Sequence, residues 1–318
     1  MSEPFLSVNN LTIHYRHGTQ SFPAVRNVNI TLQSGQTLGL VGESGCGKST
    51  LALALMGLLP EREGLITEGQ ILYEGRDLTQ NDHEHWRTLR GKTFAMVFQD
   101  PFSSLNPVFK IDFQLAECLP PDEKGKKQAR MNELLDLVQL KDPERILNSY
   151  PHQLSGGQRQ RVLISMALAQ NPKLLIADEP TTALDVTVQD EIVKLLKSLQ
   201  SEFHMAMVFI THNIGLVKDL SDLLAVMYAG EIVEVGKTSD VLKNPKHPYT
   251  QGLLRSLPDI KPHQGPLPVL EGQPPEPKAI PTGCAFHPRC EKRMDQCKVN
   301  DPAERLVEGR TVRCHLYP

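Results

Sequence analysis

Apolar positions along the chain fall into two patterns that alternate from residue 38 to residue 210. Short unbroken apolar runs at residues 38–41, 95–98, 174–177 and 207–210 have the length of strands buried on both faces of a parallel sheet. Longer stretches with helical spacing follow or intervene at 48–57, 129–138, 157–169 and 188–199. Such alternation predicts an α/β core built on a mostly parallel sheet. Residues 6–15 and 24–32 read as an antiparallel pair preceding it.

Two stretches break the alternation. Residues 101–150 carry no convincing strand and a polar, charged middle, which predicts a helical subdomain at about residues 101–165, with 124–127 as a solvated turn. Beyond residue 244 the composition shifts: ten prolines lie between Pro245 and Pro281. Proline lacks an N–H and fixes φ, so 245–283 reads as an extended connector. The expected organisation is a core at 1–244, the connector at 245–283, and a cysteine-rich tail at 284–318.

Composition narrows the class only slightly. The 318 residues are 40% hydrophobic and 22% charged, with a net charge of −3, which exerts no global pull on nucleic acid. The longest apolar runs, such as 51–59, fall short of the roughly 18–20 residues a bilayer span needs. The opening Met1-Ser2-Glu3-Pro4 lacks a basic stretch followed by an apolar one. The expectation is a cytosolic protein that meets a membrane only through a partner. Cys46 and Cys118 stand alone, while Cys284, Cys290, Cys297 and Cys314 crowd the tail; in a reducing compartment that crowding suggests metal ligation more than disulfides.

The sharpest chemical signal is Gly42-Glu43-Ser44-Gly45-Cys46-Gly47-Lys48-Ser49-Thr50, which satisfies Gly-x₄-Gly-Lys-Ser/Thr after one predicted strand and before one predicted helix. Glycines let backbone N–H groups wrap a phosphate at a helix N-terminus. Lys48 is placed to bridge the β- and γ-phosphates, and the Ser49 hydroxyl to ligate Mg²⁺. A chance match in a chain this long has a probability on the order of one per cent. A second apolar strand ends in Asp178-Glu179, a carboxylate suited to the Mg²⁺ sphere followed by one suited to deprotonating a water.

Leu154-Ser155-Gly156-Gly157-Gln158, lying between that loop and the Asp-Glu pair, resembles the signature of the ABC ATPases. Ser155 and the glycine amides open a predicted helix, an anion-binding terminus that the serine also caps. The resemblance implies that two subunits close head to tail, so that Ser155, Gly156, Gly157 and Gln158 meet the nucleotide held by a partner. It further implies that Tyr15 stacks on adenine and that Gln99 touches Mg²⁺ and the attacking water. Ala183-Leu184-Asp185 would communicate between sites, and His212 would contact the γ-phosphate. The roles are therefore catalytic for Glu179, with Gln99 and His212 assisting, and Mg²⁺-binding for Ser49, Gln99 and Asp178.

Within that family the chain is similar to the ATPase subunits of dipeptide and oligopeptide importers. The carrying residues are Phe98-Gln99-Asp100-Pro101, Ser104-Leu105-Asn106-Pro107, Tyr150-Pro151-His152-Gln153, Ala177-Asp178-Glu179-Pro180-Thr181-Thr182-Ala183-Leu184-Asp185, Val226-Met227-Tyr228-Ala229-Gly230 and His247-Pro248-Tyr249-Thr250. The implied partners are two membrane permease subunits, a second ABC ATPase and, indirectly, an extracytoplasmic binding protein, with no nucleic acid. The implied location is the cytoplasmic side of the inner membrane. Relatives with this tail resemble cluster-bearing proteins, so Cys284, Cys290, Cys297 and Cys314 are expected to hold a [4Fe–4S] cluster. Zn²⁺, with His287 or His315 replacing one cysteine, and unligated thiols remain open at this point.

Overall fold

In the computed structural model, residues 3–80, 83–121, 126–182, 184–256 and 270–317 are described. In chain order the elements are β1 (Leu6–His17), β2 (Gln20–Leu32), β3 (Thr37–Val41), α1 (Lys48–Leu55), β4 (Gly64–Tyr73), β5 (Arg76–Asp77), α2 (His83–Leu89) and β6 (Phe94–Val97). There follow α3 (Pro101–Ser104), α4 (Ile111–Cys118), α5 (Lys127–Leu137), α6 (Pro143–Asn148), α7 (Gly156–Leu168), β7 (Leu174–Asp178), α8 (Val186–Phe203) and β8 (Ala206–Thr211). The remainder are β9 (Leu223–Tyr228), β10 (Glu231–Lys237), α9 (Thr238–Lys243), α10 (Pro248–Arg255), β11 (Glu304–Val307) and β12 (Arg310–Arg313). The chain divides into two units, one of residues 1–80 with 211–318 and one of residues 81–210.

In the first unit, β1 pairs antiparallel with both β2 and β4, and β4 with β5. The β1–β2 partnership expected from the opening residues is present and extends further toward the turn. Alongside it, β3 lies parallel to β9, from which β10, β12 and β11 continue antiparallel. All five residues of β3 are buried, as the unbroken apolar run requires.

In the second unit, β6, β7 and β8 run parallel, and every residue of β7 and β8 is buried. Helices α3 to α6 occupy the stretch without strands, and their apolar sides, including Ile111, Leu115, Leu134, Leu135 and Ile146, form a core with α7. In α8 the buried Ile192, Leu195, Leu196 and Leu199 recur at three- and four-residue spacing, so one stripe of the helix faces inward. Lys124 and Gly125 of the expected solvated turn, and Ala183, lie outside the described residues.

The C-terminal third departs from the expectation in two ways. Residues 245–283 are not uniformly extended: α10 forms within them, with Pro248 at its first turn, where the missing N–H costs nothing. His247 caps that helix, its Nδ1 accepting the Tyr249 N–H at 3.0 Å. Residues 257–269 of the proline-rich stretch lie outside the described residues. The tail, for its part, is not a separate appendage. Its hairpin β11–β12 adds to β10 through Glu234↔Val312 and Val235↔Thr311, and buried ion pairs Arg310–Glu234 (3.4 Å) and Arg313–Glu231 (3.3 Å) tie the same strands. The fully buried Glu234 also accepts the N–H groups of Lys246 and His247, both at 2.9 Å.

Candidate active site

The phosphate loop in the first unit bridges the end of β3 and the start of α1. Gly47, with φ of 108°, is the N-cap of α1, and a Cβ there would meet the Ala24 carbonyl oxygen. Gly42 has no room for a side chain, since a Cβ would strike the Met227 carbonyl oxygen and, at 2.7 Å, the Cys46 sulfur. Lys48 is buried, and its Nζ donates to the carbonyl oxygens of Gly42 (2.8 Å) and Glu43 (3.0 Å). The ammonium thus lies against the loop's own backbone, where a phosphate oxygen would compete for it. Ser44, Gly45 and Ser49 are exposed and Thr50 half-buried, whereas Cys46 is buried, its thiol pushed up by desolvation. Cys46 therefore contributes to the loop by packing, without thiolate chemistry.

Glu43 is engaged through its N–H, its carbonyl and its carboxylate. Its N–H donates to the Tyr249 hydroxyl at 3.0 Å, its carbonyl accepts from Lys48, and its carboxylate takes a two-pronged bond from Arg289, at 2.7 and 2.9 Å. Burial raises the Tyr249 phenol well above the usual tyrosine range, so it stays protonated. In the same unit Tyr15 lies on β1 opposite Phe22, ring centroids 6.5 Å apart, and His212 is exposed just after β8.

The second unit carries the carboxylates. Asp178 ends β7 with 5% exposure, and Glu179 follows at 8% with a left-handed φ of 46°, a conformation that costs a glutamate free energy. Glu179 Oε2 accepts from the Gln99 amide at 3.1 Å and from the Thr182 hydroxyl at 2.9 Å. Two donors on one oxygen fix the rotation of the carboxylate. Gln99 itself lies on the exposed turn after β6. Ser155 caps α7 in a reciprocal arrangement with Gln158, the Gln158 N–H to Ser155 Oγ at 3.3 Å and the Ser155 N–H to Gln158 Oε1 at 3.1 Å. Gly156 and Gly157 are small because Leu184 and Val188 stand at 3.1 and 2.8 Å from where their Cβ atoms would be. Asp185 caps α8, accepting the Val188 N–H at 3.0 Å.

In the tail, Cys284, Cys290, Cys297 and Cys314 are all half-buried or buried and free of disulfides. Burial pushes Cys284 up to about 12 and Cys314 to about 11. Cys290, Cys297 and Cys314 each lie close enough to Cys284 to add to the opposition to its ionisation. Among the described residues, no group of three or more His, Cys, Asp or Glu is arranged to hold a metal ion. His315 Nε2 meets the Asn300 carbonyl oxygen at 2.8 Å, and His287 Nδ1 the Cys284 carbonyl oxygen at 3.0 Å.

Sequence reasoning located the loop and the Asp-Glu pair but missed three residues that hold them. Thr182 stood within a stretch already matched to the family, unassigned. Tyr249 carried the same partial signal. Arg289 carried none, because 246 positions separate it from Glu43.

A glycine loop closing on a buried lysine, together with a strand ending in a held carboxylate, defines the protein as a phosphate-loop ATPase. Comparison with known proteins refines this. Residues 25–182 match the family described as ABC transporter, and residues 233–297 match the oligopeptide/dipeptide transporter C-terminal region. The chain belongs to the ABC transporter family, as an ATP-binding subunit. It is 45% identical to the oligopeptide transport ATP-binding protein AppD of Bacillus subtilis (strain 168), over 98% of this chain and 96% of that one. It is 43% identical to the dipeptide transport ATP-binding protein DppD of Escherichia coli (strain K12), with the same coverage. Among solved structures it resembles the dimeric ATP-binding cassette MJ0796 in a post-hydrolysis state bound to ADP and Pi, with a TM-score of 0.64 and 29% identity, covering 73% of this chain and 98% of that one.

Proposed function

We propose that the chain is the motor subunit of an importer for dipeptides or oligopeptides, coupling ATP hydrolysis to movement in membrane permease subunits. The observation carrying the ATPase reading is the Glu179 carboxylate, buried at a strand end and held on one oxygen by Gln99 and Thr182. Glu179 acts as the general base on the attacking water, and its replacement by Gln slows hydrolysis about 10²–10⁴-fold. Lys48 and the loop N–H groups hold the phosphates. Ser49, Asp178 and Gln99 would hold Mg²⁺, which supplies charge neutralisation on the phosphoryl oxygens. His212 senses the γ-phosphate, Tyr15 the adenine, and Ser155 with Gly157 and Asp185 a partner subunit's nucleotide.

Peptide as cargo class rests on the relatives' names and on the shared C-terminal region. A second related ATPase and two permeases complete the assembly, and the subunit works at the cytoplasmic membrane face. Among the described residues no helix is long and apolar enough to cross a membrane. The second unit does present exposed Phe98, Phe102, Val108, Phe109 and Phe113, with Phe109 and Phe113 stacked at 4.7 Å, an apolar surface suited to a membrane subunit's loop. Purification of Glu179→Gln from native membranes with ATP and Mg²⁺ tests this. Recovery of two multi-span permeases and a second ATPase supports it, whereas ribosomal or nucleic-acid-associated proteins alone refute it. Recovery of a nickel, glutathione or oligosaccharide permease refutes only the cargo.

For the tail we infer a [4Fe–4S] cluster on Cys284, Cys290, Cys297 and Cys314. Four disulfide-free thiols gathered in one extension, a number suited to such a cluster, support the reading; the described residues show no preformed metal site. The cluster would staple the loops that precede the hairpin. Iron and sulfide analysis of anaerobically purified protein checks it; one zinc per chain with no iron would overturn it.

A further inference from the structure

Glu43 joins the C-terminal extension to the phosphate loop. All three of its polar groups are engaged: the N–H by Tyr249 of α10, the carbonyl by Lys48, and the carboxylate by Arg289. Arg289 is held in turn. Its Nε donates to the Glu271 carbonyl at 3.0 Å, and its guanidinium lies 5.8 Å from the centre of the Tyr228 ring, with the Tyr228 hydroxyl 3.4 Å away. Its side chain is only 5% exposed, against 27% for Glu43. Phe286, three residues earlier, packs against Tyr228, Tyr249 and His247 at 5.2, 5.4 and 5.8 Å between ring centroids. The arginine therefore reaches the loop from a rigid aromatic base.

This arrangement has an electrostatic consequence. A carboxylate as the second residue of a loop that wraps phosphates repels the nucleotide, unless a cation neutralises it and fixes where it points. A planar guanidinium does both, since two parallel N–H···O bonds set distance and angle together. Lys48 is bonded to the carbonyl of the same residue, so displacement of Glu43 also shifts the backbone against which the lysine rests.

Resting on the phosphate-loop reading, we propose that Arg289 is a positioning residue of the nucleotide site: it neutralises and fixes Glu43 so that the loop accepts ATP. The C-terminal extension is then part of the machinery that binds nucleotide.

The test titrates the full chain and its variants with a fluorescent ATP analogue in the presence of Mg²⁺, and measures steady-state ATPase alongside. Arg289→Ala should weaken binding about 10- to 100-fold, with the loss in KM exceeding that in kcat. Arg289→Lys, which keeps the charge but not the fork, should fall between that variant and wild type. The Arg289→Ala/Glu43→Gln double variant should bind as tightly as Glu43→Gln alone, since no carboxylate is left to neutralise. Unchanged affinity in Arg289→Ala overturns the proposal. So does weakened affinity that the second substitution does not rescue, the result expected if the arginine only anchors the tail. Should the alanine variant fail to fold, Arg289→Gln with and without Glu43→Gln gives the same comparison. Lys48→Ala separates the two readings: if it binds the analogue like wild type, the loop reading fails first.

Discussion

Lowering the pH should destabilise the first unit through one residue, His247. The ring is fully buried at the start of α10, and burial depresses its pKa from 6.5 to about 3. Its Nδ1 accepts the Tyr249 N–H, a role only the neutral ring can fill. In the unfolded chain the imidazole takes up a proton below its ordinary pKa, whereas in the folded chain it stays neutral until about pH 3. Because the unfolded state binds more protons across that window, stability falls as pH falls through 6.5 and continues to fall toward 3. At pH 5, 1.5 units below the unfolded value, the loss is about 2 kcal/mol relative to slightly alkaline solution. Urea unfolding at a series of pH values measures it, with His247→Asn as the control, because asparagine keeps an N-cap acceptor and removes the titration. Between alkaline solution and pH 5 the wild type should lose about 2 kcal/mol more than the variant. Equal slopes for the two proteins would refute the reasoning.

Three further outcomes follow from the geometry. Thr182→Val keeps the side-chain shape but removes one of the two donors to Glu179 Oε2, so kcat should fall about 10-fold with KM little changed in steady-state assays. Lys48→Ala removes the buried ammonium from the loop, and both nucleotide affinity and turnover should drop by about 10²-fold or more in equilibrium titration and ATPase assay. Arg310→Met strips Glu234 of its buried cation and also frees the carbonyls of Asp240 and Asn244; a loss of about 3 kcal/mol is expected in urea unfolding, and one below about 1 kcal/mol would show that the backbone N–H groups suffice for that carboxylate.

What the sequence by itself determined was whatever depends on near neighbours along the chain. The strands β3, β6, β7 and β8 were legible within one or two residues of their ends, because apolar runs of about four residues between polar segments have the length of strands buried on both faces. The phosphate loop and the Asp178-Glu179 pair were legible because their chemistry is contiguous. The cap made by Ser155 needed only Gln158, three positions on. Tertiary structure alone decided the rest. It placed β12 beside β10, where Val312 meets Glu234 and the tail becomes sheet. It set Arg289 on Glu43 and Gln99 on Glu179. Periodicity records which face of an element is buried, but a hydrogen bond between distant residues exists only once folding has brought both groups within about 3 Å, and local pattern carries no trace of that.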